Sequence, residues 1–168
     1  MLPPKPLNYG SNISYFEFLL NEASPILNDF HFQIDITGYS HTIDKLNKLT
    51  LDDYSTAWEL SQELNSWSDY LSDILSNCRC ILRNLETDKM AKVATASANA
   101  DSNKVANGDR LANKDDAVIS IRKKRNCIES LCELLDSKIQ FLERSHYLCK
   151  KTFEWNQTVG RYENRETD

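Results

Sequence analysis

Residues 57 to 86 read AWELSQELNSWSDYLSDILSNCRCILRNLE, and their apolar members recur in alternating steps of three and four: Ala57, Leu60, Leu64, Trp67, Leu71, Ile74, Cys78, Ile81 and Leu85. Such spacing draws a narrow seam down one side of a helix, the pattern of two helices that pack along their length. Upstream, Thr50 with Asp53 three residues on reads as an N-cap, and Asp52 and Asp53 suit the positive end of the helix dipole. Neither Pro nor Gly interrupts the chain from Leu51 to about Ala100, so one helix is expected over that span.

A second seam follows. Val118, Ile121, Arg125, Ile128, Cys132, Leu135, Ile139, Leu142, His146, Cys149 and Phe153 again step by three and four, behind Asn113 as N-cap with Asp115 and Asp116. Between the seams lies TDKMAKVATASANADSNKVANGDRLANK, residues 87 to 114, mostly Ala, Asn, Lys and Asp. Its first part suits an extension of the helix by alanine propensity, and its second part is where the chain turns. Two long seams joined by one polar turn fold back as an antiparallel helical hairpin. A turn near residue 101 would set Cys78 opposite residues near 124. Arg125 and His146 interrupt the second stripe, as polar residues that fix register do. Flanking leucines and aromatics, Leu75, Leu82, Leu131, Leu134 and Phe141, remain for a third helix or a neighbouring subunit to cover, so self-association is expected.

The remaining chain is shorter in pattern. Pro3, Pro4 and Pro6 make residues 1 to 12 an extended tail. Ser14 with Glu17 forms a capping box ahead of YFEFLLNEA, a short amphipathic helix, and Ser24-Pro25 reads as the start of a second turn or helix. Residues 30 to 37, FHFQIDIT, alternate apolar and polar as a strand does, yet no second strand offers a partner. The expected fold is mainly α: a small helical or α+β appendage over residues 1–49, a long coiled-coil-like hairpin over 50–155, and a flexible tail over 156–168.

Composition narrows the function. No run of about 18 apolar residues exists, so no membrane span is expected. The proline-rich start lacks the apolar core of a signal peptide, and five cysteines, an odd number, fit free thiols in a reducing cytoplasm. Four glycines in no fingerprint spacing leave no phosphate loop, and His31, His41 and His146 accompany no nucleophile motif. No CxxC pair is present, and Cys78, Cys132 and Cys149 sit at seam positions as small apolar side chains do. The chain is therefore read as a non-enzyme with no cofactor and no bound metal.

Charge is divided. Residues 1 to 78 hold three Lys or Arg against eleven Asp or Glu, and residues 79 to 168 hold seventeen against fourteen. In the basic half, RKKR at residues 122 to 125 puts Arg122, Lys123, Lys124 and Arg125 in one helical turn, with Lys89, Lys92, Lys104, Arg110 and Lys114 around the hairpin's turn. One reading is a solvated face balanced by Glu86, Asp88, Asp101, Asp109, Asp115 and Asp116. The other is contact with nucleic-acid phosphates, electrostatic and sequence-tolerant, since residues 71 to 140 contain no aromatic side chain on which bases could stack.

Two segments, SWSDYLSDILSNCRCILRNLETDKMAKVA and KDDAVISIRKKRNCIESLCELLDSKIQFLERSHYL, resemble the phage UvsY-type recombination mediators over about residues 60 to 155. A Trp-containing helix runs into a Lys- and Ala-rich stretch and a polar turn. A second helix then carries Leu134, Leu135 and Asp136, with Arg144 and Ser145 near its end. The resemblance implies a homo-oligomeric ring in the host cytoplasm that binds single-stranded DNA and helps load a recombinase onto strands covered by a single-strand binding protein. The rival expectation is a phage-type structural or assembly protein, or one that binds a host protein, with no nucleic-acid role.

Overall fold

A computed structural model describes residues 14–50, 53–99 and 105–163. The proposed extended tail at 1–12, Leu51 and Lys104 lie outside the described residues. The described residues form five helices in order: α1 Tyr15–Asp29, α2 Tyr39–Lys48, α3 Tyr54–Asn99, α4 Val105–Ala112 and α5 Asp116–Glu163. The described residues contain no strand. The long helices α3 and α5 pack against each other as a helical hairpin. The chain divides into two compact units, one drawn from residues 1–34 and 75–134, the other from residues 35–74 and 135–168.

In the first unit the hairpin seam is built from Leu75, Cys78, Ile81 and Leu85 of α3 and Val118, Ile121, Ile128, Leu131 and Cys132 of α5, all buried. Arg125 of α5 reaches Glu86 of α3 here, which sets Cys78 near Cys132, not near residue 124. The turn lies later in the chain than the sequence suggested, because α4 occupies residues within the polar stretch. Gly108 in α4 packs closely on α3: a Cβ there would stand 2.9 Å from Ser97 Oγ and 3.2 Å from Ser97 O, so Ser97 would have to shift to admit one.

The third layer of this unit is α1. Its capping box forms as expected, with Glu17 N donating to Ser14 Oγ at 3.2 Å and Ser14 N donating to Glu17 Oε2 at 2.8 Å. Phe16, Leu19, Leu20, Ala23, Ile26 and Leu27 recur at helical spacing and are buried. Pro25 does not start a second element; it sits inside α1, which continues to Asp29. Beyond α1, His31 takes a left-handed conformation with φ of 55°. Phe32 N then donates to Leu27 O and His31 N to Asn28 O, closing the helix as glycine usually does. Lys124 Nζ meets Asp29 Oδ2 at 2.7 Å and ties α1 to α5. Leu75 and Leu131 are therefore buried within the chain itself and do not wait for a second subunit.

The second unit repeats the scheme. Ala57, Leu60, Leu64, Leu71 and Ile74 of α3 and Leu135, Ile139, Leu142 and Cys149 of α5 are buried. Trp58 and Phe153 have ring centroids 4.9 Å apart, and His146 Nδ1 lies 2.8 Å from Ser61 O. In both units rising numbers on α3 meet falling numbers on α5, so the helices are antiparallel. The added layer is α2, whose N-cap is Gly38 with φ of 92°. The segment before it keeps the alternation expected of a strand: Phe32, Ile34 and Ile36 are half-buried, and His31, Gln33, Asp35 and Thr37 are exposed, without strand pairing.

Helix starts shift slightly from the expected positions. Thr56 N donates to Asp53 Oδ1 at 3.1 Å, so Asp53, not Thr50, caps α3. Ala117 N donates to Asp115 Oδ1 at 2.8 Å, so Asp115, not Asn113, caps α5. At its other end α5 continues to Glu163, through most of the segment read as a tail.

Candidate nucleic-acid interface

The cations singled out in the sequence belong, where described, to the first unit, but they do not stand alike. Arg125 is the most engaged. Its Nη1 and Nη2 each reach Glu129 at 2.9 Å, while Nε and Nη2 reach Glu86 at 3.2 and 3.1 Å. Burial works against its charge, but the two carboxylates outweigh that, and its pKa is raised. Lys124 is held by Asp29. These two of the four RKKR charges thus serve the packing of α5 against α3 and α1.

Arg122 and Lys123 are placed differently. The Arg122 guanidinium donates to Asn113 Oδ1, a neutral acceptor, which ties α5 to the turn beside Lys114; among the described residues no carboxylate pairs with it. Lys123 is exposed, as are Lys114, Arg110 and Lys92, and Lys89 is half-buried. In the register that Arg125 and Glu86 fix, Lys89 stands level with Arg122. The structure brings Lys89, Lys114 and Arg122 to the same end of the hairpin in this unit, with Arg110 on α4 nearby in sequence. No aromatic ring belongs to this set. Met90, Leu111 and Ile119 are the exposed apolar side chains among it.

Two thiols of this unit are masked by burial. The Cys78 thiol is pushed up to about 12 by burial, and Cys132 to about 11 mainly by burial, so both stay protonated at neutral pH. Among the described residues no group of three or more His, Cys, Asp or Glu side chains could hold a metal ion. Nor is any described helix long and apolar enough to cross a membrane.

Two features go beyond the sequence reading, which held only Phe141 of the first. On α5 of the second unit, Phe141, Leu148 and Trp155 recur every seven residues and are 39%, 65% and 72% exposed, so they share one uncovered face. Residues seven apart were visible in the sequence, but only the structure separates this face from the seam one position away. The second feature is a cleft of about 790 Å³ between α2 and α3, lined by Asp35, His41, Lys45, Glu63, Trp67 and Tyr70 among others. It depends on α2, whose few apolar residues gave no clear period. Compared with known protein families, characterised proteins and solved structures, the chain matches none.

Proposed function

We propose that this protein is a non-enzymatic helical protein that binds single-stranded DNA and, as its resemblance to recombination mediators implies, assists the loading of a recombinase. The observation that carries this reading is the grouping of Lys89, Lys114, Arg122 and Lys123 at one end of the hairpin, where Arg122 donates to neutral Asn113 and, among the described residues, pairs with no carboxylate. Phosphate binding needs clustered cations and no fixed spacing, so such a group suffices for electrostatic, sequence-tolerant contact. Repetition in a homo-oligomer would turn a few weak contacts into a continuous track. The uncovered Phe141, Leu148 and Trp155 face supplies apolar surface for that self-association. The test is fluorescence anisotropy of a labelled oligothymidine at about 50 mM salt. Saturable binding that weakens as salt rises supports the reading, and no binding removes it.

A second reading has its own observation. Lys124 and Arg125 are neutralised within the chain, and Asp88, Asp115 and Asp116 lie near the remaining cations in sequence, which suits a helical assembly or host-protein-binding protein with no nucleic-acid role. A protein that ignores the oligonucleotide while capturing a protein partner would belong to that class.

A further inference from the structure

The cleft between α2 and α3 is built, not incidental. Trp67 is held on three sides. Its Nε1 donates to Thr42 Oγ1 at 3.1 Å, and the Tyr39 and Tyr70 rings meet it edge to face at 5.5 and 5.7 Å. Tyr70 is exposed, and its hydroxyl accepts from Asp35 N at 3.2 Å, which fixes the start of the α2 approach over the ring. Trp67 and Tyr70 therefore form a rigid aromatic corner with Asp35 at its edge.

The charges around that corner are unequal. Lys45 Nζ lies 2.6 Å from Glu63 Oε1, and Glu63 Oε2 also accepts from Thr42 Oγ1 at 3.3 Å, so this lysine and this glutamate cancel. Asp35 has no such counter-ion among the described residues. Thr37 N donates to its Oδ1 at 2.8 Å, and this bonding to Thr37 lowers its pKa, keeping the carboxylate ionised. The chain segment that supplies the cleft, residues 35 to 74, carries eight Asp or Glu against two Lys.

We infer that this cleft receives the guanidinium of an arginine from a basic segment of a partner protein. A planar cation stacks on an aromatic face and pairs with a carboxylate at the same time, which an ammonium does less well. The net negative charge of residues 35 to 74 favours approach of a basic chain over an acidic or apolar one. This site shares no residue with the cations of the first unit, and it stands whether or not those bind DNA.

The probe is a capped nonapeptide of alternating arginine and glycine, against the same peptides with lysine or glutamate in place of arginine. Calorimetry gives the affinities and the amide and indole resonances of labelled protein give the location. The arginine peptide is expected to move the Trp67 indole and Thr37 and Gly38 amide signals. It should bind at least about tenfold more tightly than the glutamate peptide and about threefold more tightly than the lysine peptide. Asp35→Asn, which keeps an acceptor for Thr37 N, should weaken binding about threefold or more. Glu59→Gln, which removes one charge from exposed Glu59 outside the cleft, should change it less than twofold. Equal weakening by both variants would reduce the attraction to overall charge and overturn the site. So would shifts that bypass Trp67, equal binding of lysine and arginine peptides, or preference for the glutamate peptide. If Asp35→Asn loses its helical circular dichroism, Tyr70→Leu takes its place, with the same weakening expected.

Discussion

Replacing Arg125 by methionine keeps a long apolar stem in the seam and removes the charge that links α5 to α3. The Arg125 side chain is 22% exposed, and those of its partners Glu86 and Glu129 are 43% and 40% exposed. Exposed ion pairs contribute about 0.2–1 kcal/mol, and hydrogen bonds to charged groups about 1.5–3 kcal/mol. A half-buried guanidinium with partners that reach water falls between these, at about 1 kcal/mol for the Arg125–Glu86 coupling. A double-mutant cycle over Arg125→Met and Glu86→Gln, read by urea denaturation, isolates that coupling. Each kcal/mol should appear as a fall of about 2–4 °C in melting temperature for a chain of this size. Salt should narrow the gap between wild type and variants, because these carboxylates are not fully shielded. The pairing also opposes misregistration: a slip of α3 by seven residues would bring Arg79 opposite Arg125 in place of Glu86. A coupling below about 0.3 kcal/mol, or an Arg125→Met protein more stable than wild type, would refute the reasoning.

Thiol reactivity should follow burial. Exposed Cys80 is expected to react with a disulfide reagent within seconds, whereas Cys78, Cys132 and Cys149 should wait for unfolding. Because folding raises the Cys78 pKa to about 12 from an ordinary 9.0, its contribution to stability is complete below pH 9 and lost as pH rises towards 12; urea midpoints at pH 8 and pH 10 check this. Pro25→Ala should raise stability by about 1–2 kcal/mol in thermal melts, since an interior proline costs a helix about 3 kcal/mol while it also restricts the unfolded chain. Light scattering should report a mass several times 19.4 kDa, and Phe141→Ser with Leu148→Ser should bring it towards that of one chain; a wild-type monomer would remove the oligomeric track.

Much of the fold was legible because seam residues announce themselves twice. Each apolar step on α3 has a partner stripe on α5, and the interior of two packed helices leaves little choice of face. The places that misled have local causes. Residues 30 to 37 alternate in burial without pairing, because an extended segment over a helical surface has the same two-residue period as a strand. Thr50 and Asn113 carry capping chemistry, but Asp53 and Asp115 stand nearer the first helical turn and take the role. Of the candidate site, the cluster RKKR was visible and its division was not. Which of four adjacent cations is neutralised depends on Asp29 and Glu86, residues distant in sequence. The cleft at Trp67 is hidden for the same reason: Trp67 falls on the seam's spacing, yet it packs against α2.

The dependence of oligothymidine affinity on salt tests the central functional claim most directly. Each neutralised phosphate of a single strand contributes about −0.7 to the slope of log affinity against log salt. Arg122→Ala with Lys123→Ala should therefore flatten the slope by about 1.4 for each protomer engaged. Lys124→Ala, whose charge is already held by Asp29, should leave the slope unchanged. Absence of binding at about 50 mM salt, or an equal flattening by Lys124→Ala, would contradict the account.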